Sequence, residues 1–159
     1  MAIYLKYGSI EGSSQTTGVE KWIECDSFQF GVGRGVSSAR GGATREASEA
    51  SVSEIVLSKS IDKSSGPILE QALWGKGEKA ELKFSRTKAG GQGVDFYLTY
   101  ELTEAIVSGY SLSSGGDRPT ESISFNFNAF STGIDLGGDD NAAGGPFTTG
   151  YDLAVAAKK

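Results

Sequence analysis

The sequence predicts an all-β fold: an antiparallel barrel or sandwich of about seven or more strands, with one short flanking α-helix and a long extended loop. Apolar and polar residues alternate with a period of two along most of the chain, as strands with one buried face require. Glycine makes up 23 of 159 residues, about twice its usual share of ~7%, which indicates many turns and bulges. This length fits one domain with its own core, so residues 1–159 are predicted to form a single barrel domain.

The alternation is clearest in ESISFNFNAF, where every second residue from Ile123 to Ala129 is apolar. In VDFYLTYEL the same rule places Phe96 and Leu98 on the core face and Tyr97 on the opposite face. Further strands are predicted at residues 3–7, 21–31, 52–60, 80–87 and 104–111.

Two segments depart from this alternation. In SSGPILEQALWGKG the apolar residues from Ile68 to Leu73 recur at helical spacing, Pro67 suits a first helical turn and Gly75 suits the position after the last. A helix over 65–75 that covers one end of the barrel is therefore predicted. Residues 136–159 are predicted to be a glycine-rich loop followed by a C-terminal tail.

Composition argues against most enzyme classes and against nucleic-acid binding. The chain has no histidine and a single cysteine, Cys25, in an alternating strand, so we expect no catalytic residues, no metal site and no cofactor. Asp139, Asp140 and Asn141 could hold calcium, but their spacing is not that of an EF-hand, and a solvated loop is favoured. A net charge of −5 disfavours contact with a phosphate backbone.

The N-terminus MAIYLKYGSI has neither a basic region nor a continuous apolar run, and later apolar stretches are interrupted by polar residues. We therefore expect a protein that is cytoplasmic when synthesised, has no conventional secretion signal and does not insert into a membrane.

The stretch FGVGRGVSSARGGATREASEAS resembles a phosphate-binding loop but fails both common patterns. Its third glycine is one place early for a dinucleotide fingerprint, and no Gly-Lys-Ser/Thr closes a Walker loop. Loops as long as residues 31–51 are uncommon unless they are functional or disordered. This one carries positive charge first and negative charge later, so it either docks on another copy of the protein or forms a floppy hairpin loop. The charged residues are Arg34, Arg40, Arg45, Glu46 and Glu49.

The chain resembles the Hcp family, the haemolysin-coregulated proteins of bacterial type VI secretion systems. The resemblance rests on segments spread over most of the length: IYLKYGSIEG, WIECDSFQFGVGRG, SKSIDKSSGPILEQALWGKG, the long run from KFSRTKAGGQG to ESISFNF, and TTGYDL. It implies a barrel with a flanking helix, six-membered rings with an open centre, and stacking of these rings into a tube that is propelled out of the cell. The implied partners are copies of the chain itself, the sheath, spike and baseplate, and small effector proteins carried in the lumen.

The resemblance also implies that residues 31–51 project from the barrel and contribute to contacts between stacked rings. In SFQFG the alternation sends Phe28 and Phe30 into the core and Gln29 the other way, either into the lumen or onto the outer surface.

Two other functions remain open from the sequence. A monomeric barrel could bind a small ligand or carbohydrate, with Trp22, Trp74 and Tyr110 as candidate contacts, although these aromatics share no pattern and suit core packing equally. An enzyme using carboxylates alone would need two of them facing a cleft.

Overall fold

The computed structural model describes residues 1–37, 46–88, 90–137 and 145–159, and the fold is mainly β, as the sequence predicts. Within those residues the chain forms twelve strands and one helix. The strands are β1 (Ala2–Tyr7), β2 (Ile23–Cys25), β3 (Ser27–Gln29), β4 (Val32–Gly33), β5 (Ser51–Val52), β6 (Ile55–Ser60), β7 (Glu78–Thr87), β8 (Val94–Ser113), β9 (Thr120–Asn126), β10 (Ala129–Ile134), β11 (Phe147–Asp152) and β12 (Ala157–Lys158). Helix α1 spans Ser65–Trp74.

Antiparallel pairing closes the strands into a barrel. β1 pairs with β7, β7 with the first part of β8, and the second part of β8 with β9. β9 pairs with β6, β6 with β3, and β2 pairs back with β1. One residue, Asp26, separates β2 from β3, and its N–H donates to the Ser58 carbonyl at 2.7 Å. β2 and β3 therefore act as one bent strand that closes the barrel between β1 and β6.

The longest strand, β8, serves two parts of the sheet, whereas the sequence predicts separate strands at 94–102 and 104–111. Its first part pairs with both β7 and β10, and its second part pairs with β9. The backbone bends at Glu104, whose φ of 49° lies in the left-handed region. A bend within a strand interrupts the alternation in the same way as a break between two strands. The sequence pattern therefore does not distinguish one bent strand from two separate strands.

A β-bulge in β8 overturns one predicted orientation. Phe84 of β7 pairs with Leu98, but the next residue, Ser85, pairs with Phe96, so Tyr97 is the extra residue. Tyr97 and Leu98 both pack against the core, while Phe96 turns outward and its ring centroid lies 5.3 Å from the ammonium of a lysine on β7. The prediction that Phe96 faces the core is wrong because the bulge reverses the alternation.

The barrel interior is filled by aliphatic and aromatic side chains. Ile123 and Phe125 are fully buried, which confirms the orientation predicted for ESISFNFNAF. Phe125 meets the Tyr7 ring edge-on, with ring centroids 5.0 Å apart, a favoured geometry for aromatic pairs. Residues from all the barrel strands join this cluster, so it is one continuous core.

Helix α1 packs at one end of the barrel and ends at Trp74, one residue before the predicted end at 75, with Gly75 following its last turn. Ile68 is fully buried, whereas Leu69 and Leu73 are 42% and 63% exposed. The helix therefore buries one narrow stripe and leaves a second apolar stripe in solvent. In the described part of the chain, no helix is long and apolar enough to cross a membrane.

The tail predicted after the loop at 136–146 forms two strands, Phe147–Asp152 and Ala157–Lys158, and therefore belongs to the sheet, whereas the described loop residues 136–137 and 145–146 lie outside strands. β11 pairs with β10 along six residues, and β12 covers the far end of β11. A Cβ added to Gly150 would lie 2.7 Å from the Phe130 carbonyl oxygen, so glycine permits this close approach. A glycine in a segment with weak alternation usually indicates a loop. Here the pairing with β10 makes the segment a strand. Residues 138–144 of the predicted loop lie outside the described part.

The predicted loop at 31–51 is a two-stranded hairpin where it is described. β4 pairs with β5, Val36 forms a bridge with Ala47, and the Ser48 N–H donates to the Gly35 carbonyl at 2.8 Å. Every residue from 31 to 37 is exposed. We call residues 31–37 and 46–52 the hairpin arm; residues 38–45 lie outside the described part.

Candidate assembly and lumen surfaces

Four neighbouring strands, β3, β6, β9 and the second part of β8, present a line of serines on the outside of the barrel. Ser27 pairs with Ser58, Ser58 with Ser122, and Ser122 with Ser111, so each strand contributes one serine. The Ser27 and Ser58 hydroxyls are hydrogen-bonded to each other. We call this surface the serine face. It comprises Ser27, Gln29, Val56, Ser58, Ser60, Gly109, Ser111, Ser113, Thr120, Ser122, Ser124 and Asn126.

No residue of the serine face carries a charge, although 22% of the chain is charged. Short hydroxyl side chains give this surface little relief. At Gly109 a Cβ would lie 3.3 Å from the Ser124 hydroxyl oxygen, so a larger residue would crowd its neighbour. Gln29 is exposed on this face, while the flanking Phe28 and Phe30 pack against the core, as the alternation predicts. The face therefore offers neutral hydrogen-bonding groups without strong ionic attraction.

Across the barrel, the outer side of β7 and the first part of β8 is charged. Lys79 contacts the carboxylates of Glu81 and Glu101, each at 2.7 Å. The hydrogen bond from Lys79 lowers the pKa of Glu81 below its ordinary value. The Lys83 ammonium lies 4.8 Å from the centroid of the Trp22 ring, a cation–π distance. The barrel thus has one neutral side and one charged side.

The hairpin arm contains three of the five residues predicted to act in assembly. The Arg34 side chain donates from Nε to the Ser48 carbonyl at 3.0 Å, so it braces the two strands of the arm. Glu46 and Glu49 are exposed, and the backbone of Glu46 bonds to the Ser37 hydroxyl. Arg40 and Arg45 lie outside the described residues.

A buried ionic cluster joins the barrel to the start of helix α1. Lys59 and Glu121 are fully buried and form an ion pair, and Asp62 lies 2.9 Å from the Lys59 ammonium. The Ser65 hydroxyl donates to Glu121 at 2.9 Å, and Tyr110 donates to the other carboxylate oxygen. Burial and the bond to Glu121 together raise the pKa of Tyr110 to about 12. These hydrogen bonds satisfy polar groups whose burial without a partner would destabilise the folded protein.

This cluster was not predicted, although the sequence contains a signal for it. Lys59 continues the buried positions Ile55 and Leu57, and Glu121 precedes the buried Ile123 with the same period. Lys59 and Glu121 are also direct partners across β6 and β9. A lysine and a glutamate at core positions of two strands are expected to pair, because neither charge is stable in a core alone.

We expect acid to weaken this cluster through Asp62. Burial by itself would raise the pKa of this carboxyl, but hydrogen bonds from Ser64 and Lys59 outweigh burial and hold the pKa below its ordinary 3.8. A depressed pKa contributes stability above the ordinary value, and that contribution is lost as the pH falls through the folded-state pKa. The free energy of unfolding should therefore fall more steeply below about pH 4 in the natural protein than in Asp62→Asn. Equal slopes in urea titrations across this range would contradict the assignment.

The structure bears on two kinds of candidate reactive group, the cysteine thiol and possible metal ligands. Cys25 is buried, as predicted, and burial raises the pKa of its thiol to about 12, which disfavours the reactive thiolate at neutral pH. In the described ranges, no group of three or more His, Cys, Asp or Glu side chains is placed to hold a metal ion. Asp139, Asp140 and Asn141 fall outside those ranges.

The three aromatics considered for ligand binding lie in separate places. Trp22 lies beneath Lys83 on the charged side, Trp74 ends helix α1, and Tyr110 bonds to the buried Glu121. They do not form a shared aromatic platform.

A comparison of the chain with known protein families gives a match. A family model described as "Type VI secretion system effector, Hcp" matches residues 4–133, most of the chain. The chain belongs to the Hcp family. Its place is therefore among the Hcp components of type VI secretion systems, and the predicted resemblance is confirmed.

Solved structures agree with this membership. A type six secretion system protein is 26% identical to the chain with a TM-score of 0.87, over 99% of each chain. Hcp1 from Salmonella typhimurium is 23% identical with a TM-score of 0.76, over 99% of this chain and 98% of its own. A type VI secretion system effector from Yersinia pestis is 22% identical with a TM-score of 0.72, over 94% and 98%. The last two likenesses concern the fold alone. The comparison with curated proteins gives no match.

Proposed function

We propose that the protein is a structural subunit of the inner tube of a type VI secretion system. Six copies form a ring with an open centre, the rings stack, and small effector proteins travel in the lumen. Membership of the Hcp family supports the secretion role. The observation that supports the lumen is the serine face, a surface without charged side chains that spans four neighbouring strands.

The serine face suits the wall of a delivery tube. A cargo must enter the lumen and leave it again, so the wall must bind weakly and release quickly. Hydroxyls and one glutamine, Gln29, form hydrogen bonds that compete with water and contribute little net energy each. Charged side chains would attract cargo of one sign and repel the other. We therefore assign the serine face to the lumen and the charged side of the barrel to the outside of the tube.

The hairpin arm suits contacts between stacked rings. It is exposed along residues 31–37, and its sequence carries positive and negative charge in separate places. Stacking requires one patch to meet a different patch on the next ring, which such a charge distribution favours. The residues assigned to this contact are Arg34, Arg40, Arg45, Glu46 and Glu49.

This role places the protein in the cytoplasm when it is made and outside the cell after the tube is propelled. Its partners are further copies of the chain, the sheath, spike and baseplate of the secretion machine, and the effectors. The role requires no cofactor and no enzymatic step.

Light scattering coupled to size-exclusion chromatography tests ring formation. A mass near six times 16.6 kDa across a concentration series is expected. A mass of 16.6 kDa at every concentration would overturn the ring and favour a monomeric ligand-binding barrel.

A second experiment tests the arm. Replacing Arg34, Arg40 and Arg45 with alanine should preserve rings and abolish stacked tubes in electron micrographs, because the charges assigned to the contact with the next ring are lost. A control loses three positive charges elsewhere and should stack normally: Lys6→Ala, Lys88→Ala and Lys158→Ala. Normal tubes from the arginine variant would contradict the role of the arm.

A further inference from the structure

The C-terminal end of helix α1 exposes large apolar side chains. Trp74 is 70% exposed, Leu73 63% and Leu69 42%. Leu69 and Leu73 are one helical turn apart and Trp74 is adjacent, so the three form one patch, which we call the helix stripe. Clustered apolar side chains in solvent are typical of a surface that another molecule covers.

The opposite end of the barrel has an apolar opening. Its cavity has a volume of about 340 Å³, and Asp26 and Met1 are also at its wall. Its apolar lining consists of Ile3, Cys25, Phe28, Phe84, Tyr97 and Leu98. We call this cavity the barrel mouth. The bulge in β8 helps to form it, because it turns Tyr97 as well as Leu98 toward the core side.

Strand β1 shows that the mouth and the helix stripe lie at opposite ends of the barrel. It runs from Ile3 at the mouth to Tyr7, whose hydroxyl lies 2.9 Å from the Ala105 carbonyl and 3.4 Å from the Lys76 carbonyl. Lys76 follows Trp74 by two residues. At ~3.3 Å per strand residue, Ile3 and Tyr7 are separated by roughly 13 Å of intervening core. Trp74 therefore lies at the end away from its own mouth.

We propose that the helix stripe of one copy seats in the barrel mouth of the next copy, with Trp74 as the inserted side chain. This inference rests on the proposed tube function and specifies one head-to-tail contact between copies. The mouth has the size of cavities that enclose small organic molecules, and an indole ring suits its aromatic lining. At the edges, the exposed Asp26 of the mouth is opposite in charge to the exposed Lys76 that follows the stripe, whereas Glu70, one helical turn before Trp74, has the same sign as Asp26.

A contact between two different patches leaves each copy with one free stripe and one free mouth. Such contacts repeat from copy to copy until they close into a ring or continue as a filament. The geometry therefore accounts for association beyond a dimer without any further surface.

Tryptophan fluorescence tests whether Trp74 becomes buried. In Trp22→Phe, Trp74 is the one remaining tryptophan. Its emission should shift to the blue and become protected from acrylamide as the protein concentration rises. The control, Trp74→Phe, reports from Trp22 on the charged side and should not respond. Emission from Trp74 that stays exposed in assembled protein would overturn the contact.

Mixing complementary variants tests the pairing of the two patches. Trp74→Ala removes the inserted ring but retains the mouth, and Ile3→Glu blocks the mouth but retains the stripe. Each alone should associate at concentrations about tenfold or more above those of the natural protein. An equimolar mixture should form mixed dimers, because one stripe and one mouth remain complementary. If Ile3→Glu does not fold, the exposed rim variant Asp26→Lys replaces it, and Lys76→Asp should restore its association.

The outcomes separate this contact from the tube function. If Trp74→Ala forms both six-copy rings and stacked tubes as readily as the natural protein, the contact is wrong and the tube function stands. If the natural protein stays monomeric and its Trp74 emission never changes, both are wrong.

Discussion

Replacing Glu121 with alanine should lower the free energy of unfolding by about 3 kcal/mol or more. The change removes the main counter-charge of Lys59, which is fully buried. It also removes the acceptor of the Ser65 and Tyr110 hydroxyls. Asp62 remains near the lysine, but one carboxylate at the edge of the cluster does not replace one at its centre. Urea unfolding followed by circular dichroism measures the loss.

Two control variants separate burial from charge. Glu101→Ala removes an exposed partner of Lys79 and should cost less than about 1 kcal/mol. The double replacement Lys59→Met with Glu121→Leu exchanges the buried pair for apolar groups, and it should recover most of the stability lost in Glu121→Ala. A loss in Glu121→Ala no larger than that in Glu101→Ala would show that the buried pair does not hold the helix to the barrel.

Replacing Phe125 with alanine should cost about 3–5 kcal/mol, because it empties the centre of the core. Phe125 is fully buried and packs edge-on against Tyr7. It lies on β9 between Ser124 and Asn126 of the serine face, so the loss also removes the support beneath that face. Phe125→Leu retains most of the volume and should cost less than about 1.5 kcal/mol in the same urea titration. Similar losses in the two variants would contradict close packing at this position.

Much of the fold follows from local pattern. Alternation predicts the strands around Phe125, and Pro67 with Gly75 predicts the helix, because burial of one face imposes these periods directly. The facing of Phe96 and the strand character of β11 do not follow. The first depends on a bulge one residue long, and the second on the close approach that Gly150 allows to β10. Both are set by a neighbouring strand that the local sequence does not contain.

Of the candidate surfaces, too, one part follows from local sequence and the other depends on strand pairing. The alternation around Gln29 predicts that it faces away from the core, and the structure agrees. The serine face depends on β3, β6, β9 and β8 lying side by side, although they come from four separate parts of the chain. Each serine alone is an ordinary solvent-facing residue. The row becomes visible when the pairing aligns Ser27, Ser58, Ser122 and Ser111.

The two ends and the two sides of the barrel have different roles in the proposed assembly. The buried Lys59–Glu121 pair fixes the helix at one end, and the bulge at Tyr97 shapes the mouth at the other. Between the ends, the neutral side is assigned to cargo and the charged side to the outside of the tube. The hairpin arm extends beyond the barrel toward the next ring in this assignment.

Distances between spin labels in assembled rings test the central claim that the serine face lines the lumen. In a six-membered ring, equivalent points on neighbouring subunits are as far apart as each is from the axis. Labels on Ser111→Cys, on the serine face, should therefore lie closer together than labels on Lys6→Cys, on the outer side of β1. Cys25 is buried, with a pKa of about 12, and should stay unlabelled. Equal distances, or shorter ones for Lys6→Cys, would contradict the assignment of the lumen.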